Sequence, residues 1–144
     1  MAFKFEVITP SGDGILSPED LKLFYYEVGL SSQMGQTEIY DWNKEIDEFL
    51  KKVGVVVNVC PDGTITNQYV SNTISISLSK GESKGIAFFR HLRNAFAHYH
   101  IQRFGDYFYL KDASGNKITM IGCIKIEDLK SLILLFLKQI ENLH

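Results

Sequence analysis

The sequence predicts one mainly α domain, a bundle of about four helices with one or two β-hairpins, α+β by content. Three observations lead there. Four stretches carry apolar residues at helical spacing, most of them with recognisable start or stop signals. Two β-prone runs flank a short Gly-containing loop late in the chain. The length of 144 residues, 45% of them hydrophobic, suffices for one core that buries roughly two-thirds of the unfolded chain's surface. No repeat, linker or low-complexity segment divides residues 1–144, so a single domain is expected.

The first helix starts at Ser17-Pro18-Glu19-Asp20, with Ser as N-cap, Pro at the first helical position and an acid three residues on. It runs to about Val28, where Gly29 stops it. A second helix is expected from Thr37 to about Val53. It carries Ile39, Trp42, Ile46, Phe49, Leu50 and Val53 at helical spacing, with Lys51 and Lys52 in its last turn, as the helix dipole favours. Val55 to Cys60 is β-branched, Pro61-Asp62-Gly63 is a turn signal, and Ile65 to Val70 can form a second strand. The alternation of Ile74, Ile76 and Leu78 with Ser and Thr reads as a half-buried strand or an extended loop. Ser83 can cap a third helix from about Lys84 to Gln102, ending near Gly105. Tyr107 to Leu110 and Ile118 to Ile124 then form a hairpin around residues 112–116. A last helix from near Glu127 to the C-terminus is apolar almost all round. Leu129, Leu132, Ile133 and Phe136 lie on one stripe, and Leu134 and Leu135 extend it. It is either a central core helix or one shared with a second subunit.

Fifteen Lys and Arg against seventeen Asp and Glu give a net charge of −2, which counts mildly against broad binding to nucleic acid. Two cysteines, Cys60 and Cys123, are too few for a disulfide framework or a zinc site. Lys4 and Glu6 interrupt the apolar N-terminus, so no signal peptide is expected, and no run approaches a membrane span. A cytoplasmic protein with reduced thiols, no metal, no cofactor and no membrane partner is the expectation.

The distribution of charge says more than its sum. All three arginines, Arg90, Arg93 and Arg103, fall in one fourteen-residue window with His91, His98 and His100, and no acid occurs between Glu82 and Asp106. At 100° per residue, Phe88, Phe89, Leu92, Ala95, Phe96 and Tyr99 gather on one face of the third helix. Arg90, His91, Asn94 and His98 gather on the opposite face. Arg93 lies at the border, about 140° from His98 on an ideal helix. Arg, an amide and His without carboxylates suit phosphodiester chemistry. Arg can grip and neutralise a phosphate, His can move protons near neutral pH without a metal, and Asn can orient either. RNA brings its own nucleophile, the 2′-OH. No dense carboxylate set for a two-metal nuclease and no Gly-rich phosphate loop accompanies the cluster.

The segment Phe89-Arg90-His91-Leu92-Arg93-Asn94-Ala95-Phe96-Ala97-His98 resembles the signature helix of the HEPN superfamily, an Arg followed four to six residues later by His, often with Asn directly after the Arg. The stretch from Tyr107 to Ile133 is similar to the bacterial branch in which a β-hairpin follows this helix. Both His98 and His100 satisfy the spacing from Arg93, and His98 shares the polar face with Asn94. Many relatives carry Gly after the His, where this chain has Tyr99. The resemblance implies a HEPN-like, mainly α-helical bundle that forms a homodimer, with the Arg and His of both subunits facing one cleft. It implies a metal-independent endoribonuclease of the toxin or defence type, with an antitoxin as a further partner and a 2′,3′-cyclic phosphate as product. Arg93 then steadies the phosphate, His98 transfers protons and Asn94 positions them, while Arg90, His91, His100 and Arg103 add contacts to RNA. The alternative is a non-catalytic HEPN-like module that binds RNA or nucleotide, or a dimeric interaction module. In that case the polar face is a hydrogen-bonded surface, and Arg90 and His91 are solvated neighbours.

Overall fold

The structure, a computed structural model, describes residues 6–7, 42–98 and 100–141. The helix expected at Ser17–Val28 and the start of the one expected at Thr37 lie outside them. In chain order the described elements are β1 (Glu6–Val7), α1 (Lys44–Val53), β2 (Val56–Val59), β3 (Thr73–Ile76), α2 (Lys84–Ala97), β4 (Ile101–Phe104), β5 (Tyr107–Ser114), β6 (Lys117–Lys125) and α3 (Ile126–Glu141). The strands form one mixed sheet in the order β1-β4-β5-β6-β3-β2, antiparallel except for the β2–β3 pair. The expected mainly helical bundle is therefore corrected. The described residues form an α+β fold in which three helices serve one sheet, and the hairpins are part of its core rather than an appendage to a bundle.

Local chemistry explains most element boundaries. Asn43 caps the start of α1: its side chain accepts from the Ile46 N–H at 3.0 Å, and Gly54 closes the helix at φ 75°, a left-handed cap that Gly adopts without strain. Ser83 caps α2 as the sequence predicts. That helix stops at Ala97, five residues short of the expected Gln102, because Ile101–Phe104 leaves it to become β4 beside β5. A two-residue Gly105-Asp106 loop joins those strands, with Phe104 opposite Tyr107 and Gly105 at φ 61°. The loop of the next hairpin is as short, Gly115-Asn116, with Ser114 opposite Lys117. Both strands outrun the expected hairpin.

The strand expected at Ile65–Val70 is also corrected: these residues are irregular. A tight turn at Pro61-Asp62-Gly63 would return the chain antiparallel to β2. Instead β2 pairs in parallel with β3, Val56 opposite Thr73, and parallel neighbours need a crossover between them. Residues 60–72 are spent on it.

α2 lies against β5 and β3, α3 against β6, and α1 against α3. Between helices and sheet sit Ile74, Ile76, Phe88, Phe89, Leu92, Ile101, Phe108, Leu110, Ile124, Leu129 and Phe136, all at most 1% exposed. Phe88 stacks on Phe136 at 5.8 Å, and Trp42, just before α1, meets both rings edge-on. Of the all-round apolar last helix, Leu129, Leu132, Ile133 and Phe136 are buried, Leu135 packs against the core, and Leu134 is 40% exposed. Among the described residues, no helix is long and apolar enough to cross a membrane.

Candidate nucleic-acid site at the end of the second helix

Helix α2 presents its polar residues in two groups with different surroundings. The first is tied into the protein. Arg90 donates through Nε to Glu82 Oε2 at 2.7 Å and through Nη2 to Glu82 Oε1 at 2.9 Å, a two-pronged pair that matches the guanidinium fork. Glu82 is itself fixed, accepting from the Ser79 backbone N–H at 2.9 Å. Burial works to raise the Glu82 carboxyl. The hydrogen bonds from Arg90 and Ser79 and the nearby positive charge outweigh it and hold the group below its usual range.

His91 is fully buried. Its Nδ1 lies 2.8 Å from Asp112 Oδ2 and its Nε2 lies 2.8 Å from the Ser77 carbonyl. Both partners are acceptors, so a ring protonated at both nitrogens donates to both. Arg90 Nη2 also approaches Nε2, at 3.3 Å, and the shorter carbonyl contact decides the role of that nitrogen. Asn94 Nδ2 donates to the same Asp112 oxygen at 3.2 Å. Asp112 stands on β5 in register with Phe108 and Leu110, so its side chain points at the core and α2. The β5–β6 ladder shifts register just after it, between Asp112 and Ala113, and such a bulge aims side chains locally. Burial pushes the Asp112 carboxyl up. Hydrogen bonds from His91 and Asn94 and the charges of His91 and Arg90 push harder and leave it below the ordinary carboxylate value.

The second group faces outward. Arg93 is half-buried, and among the described residues it makes no hydrogen bond or ion pair. His98 is exposed and is the C-cap of α2 at φ −99° and ψ 10°, its backbone N–H bonded to the Asn94 and Phe96 carbonyls. It has left helical geometry, so the 140° of an ideal helix does not fix its angle to Arg93. His100 is exposed as well, and its ring centre lies 6.0 Å from that of His98. The C-terminal end of a helix carries negative partial charge, which by itself repels phosphate. Arg93, one turn back, supplies the opposing charge.

The structure thus brings together Arg90, His91 and Asn94 around Asp112 and Glu82, and leaves Arg93, His98 and His100 near the helix end. His91, expected on the outer polar face, sits beneath it, beyond contact with any RNA in this conformation. Asn94 is committed to Asp112 rather than to orienting His98. Arg103 is elsewhere, toward the Gly105-Asp106 end of β4. It donates through Nε to the Gly105 carbonyl at 3.2 Å and lines a cavity of about 340 Å³ with Asp106, Lys125, Ile126 and Glu127. That lining alternates in sign and makes no anion cradle. Tyr99 lies outside the described residues. Asp112 and Glu82 escape a reading of the sequence because each acts from outside the Arg/His window. The usable signal for Asp112 is its place in the alternation Phe108, Leu110, Asp112, an acid where a strand turns a core residue inward.

A family model described as HEPN pEK499 p136 matches residues 24–144. The chain belongs to this HEPN family. The match spans α2, both hairpins and α3, so the Arg/His helix and the sheet that anchors it are parts of one HEPN-type module. No curated protein and no solved structure matches the chain. Among the described residues, no three His, Cys, Asp or Glu side chains gather where they could hold a metal ion.

Proposed function

We propose that this HEPN domain is a metal-independent endoribonuclease acting through Arg93 and His98. The observation that carries the proposal is the contrast between two arginines three residues apart. Arg90 is consumed by Glu82, whereas Arg93 keeps its guanidinium unpaired among the described residues, five residues before the exposed His98 that closes the same helix. A half-buried cation with no partner among the described residues is set to take an anion from outside, and a phosphodiester is the anion that an imidazole at the same helix end can process. Arg93 steadies the phosphate as charge builds on its oxygens. His98 transfers protons. Asn94, held by Asp112, keeps the last turn of α2 in place behind them. A homodimer that sets two such helix ends into one cleft, and a role in a toxin–antitoxin or defence setting, are part of the same proposal.

The test is cleavage of a varied RNA panel in excess EDTA. Wild type is expected to cut and to leave 2′,3′-cyclic phosphate ends. His98→Ala is expected to lose about 10²–10⁴-fold in rate, the range for a proton-transfer group. Binding without turnover by wild type would instead assign the domain to RNA recognition, with a salt-dependent affinity.

A further inference from the structure

Cleavage of RNA by its own 2′-OH moves two protons: one leaves the attacking hydroxyl, and one arrives on the departing 5′-oxygen. The reading above supplies one histidine for this work. The fold places a second beside it. The rings of His98 and His100 have centres 6.0 Å apart and planes inclined at 62°, and both are exposed. Each is positioned by its own backbone bonds. The His98 N–H donates to the Asn94 carbonyl at 3.0 Å, closing α2. The His100 N–H donates to the Ala95 carbonyl at 2.9 Å, while its carbonyl accepts from the Lys111 N–H at 3.1 Å and so joins β5. The pair is therefore a product of the turn from helix to sheet. Among the described residues, no third His, Cys, Asp or Glu joins them in a metal-ligand set.

We infer that His98 and His100 of one chain form the acid–base pair of the reaction, so that His100 is a second catalytic residue. This rests on the ribonuclease reading of the Arg93–His98 end. The separation suits the task. A proton-transfer group must come within about 3 Å of its oxygen, and the two oxygens stand on opposite sides of phosphorus. Two rings whose centres are 6.0 Å apart can straddle one phosphate. One neutral ring takes the 2′-OH proton as the 2′-oxygen bonds to phosphorus. The bond from phosphorus to the 5′-oxygen breaks, and the other ring, as imidazolium, gives its proton to that oxygen. The products are a 2′,3′-cyclic phosphate and a 5′-hydroxyl. The rings have exchanged protonation states, and exchange with water resets them.

Two substrates test this: a dinucleotide of ordinary RNA, and uridine 3′-(4-nitrophenyl phosphate), whose phenolate departs without a proton. Both His98→Ala and His100→Ala are expected to lose about 10²–10⁴-fold on the dinucleotide, with melting temperatures unchanged because both side chains are exposed. On the aryl ester one variant recovers to near wild type and is thereby the one lacking the acid, while the other stays slow. His100→Ala that cleaves the dinucleotide within about threefold of wild type overturns the pair. So does rescue of both variants or of neither. Failure of wild type on both substrates removes the ribonuclease reading itself, a result distinct from the others.

Discussion

Asp112→Ala is expected to destabilise the domain by about 1–3 kcal/mol, the cost of leaving a buried polar group without its hydrogen-bond partner. The mechanism is local. His91 is fully buried and has Asp112 on one ring nitrogen and a carbonyl on the other. Without the carboxylate its polar ring stays buried with one nitrogen stripped of its partner, and Asn94 loses its acceptor as well. The same carboxylate gives the loss a pH signature. Its folded-state value is held below the usual one, so its contribution is complete above the unfolded carboxyl value near pH 4 and fades as pH falls below it. Glu82 is shifted in the same direction and adds to the trend. Urea midpoints measured from pH 7 down to about pH 2.5 should fall for wild type below about pH 4. They should fall less for Asp112→Ala, which starts lower and has less to lose. A variant within about 1 kcal/mol of wild type at pH 7 would show that the buried contact is not a tie between helix and sheet.

Arg93→Ala is expected to lower kcat/KM for RNA cleavage by about 10²–10³-fold, as removal of a donor aimed at developing charge does elsewhere. Stability is expected to stay within about 0.5 kcal/mol of wild type, since no described residue relies on this guanidinium. Arg93→Lys keeps the charge but not the planar fork, so it should recover only part of the rate. Parallel rate and melting curves on the three proteins check this. A fall in melting temperature that tracks the loss of rate would reassign Arg93 to the structural group.

Much of this was legible in the residues. Ser83 marks the start of α2, and Gly115-Asn116 marks a hairpin. The Arg/His window marks the helix on which the site is proposed. What failed to show has physical causes. Ile101 to Phe104 continues the apolar spacing of α2, so it reads as helix, and only pairing with β5 turns it into strand. The Gly105-Asp106 pair between aromatic runs was the available hairpin signal. The parallel β2–β3 pair depends on a crossover that no local pattern announces. His91 lies only about 60° from Phe88 around the helix, on the border of the apolar face, and a partner across the sheet draws it inside. That partner, Asp112, reads as loop if the strand is ended at Leu110, and its inward aim depends on a register that the local pattern does not settle.

The division of α2 between residues that hold it and residues offered to RNA is tested most directly by cleavage in EDTA, plotted against melting temperature, for Arg93→Ala and His91→Gln. The expected result sets them apart. Arg93→Ala melts with wild type and cleaves at least about 100-fold more slowly, while His91→Gln melts earlier and, below its transition, cleaves at near the wild-type rate per folded molecule. The contradicting result is a His91→Gln protein that remains folded and has lost cleavage, or an Arg93→Ala protein that still cuts.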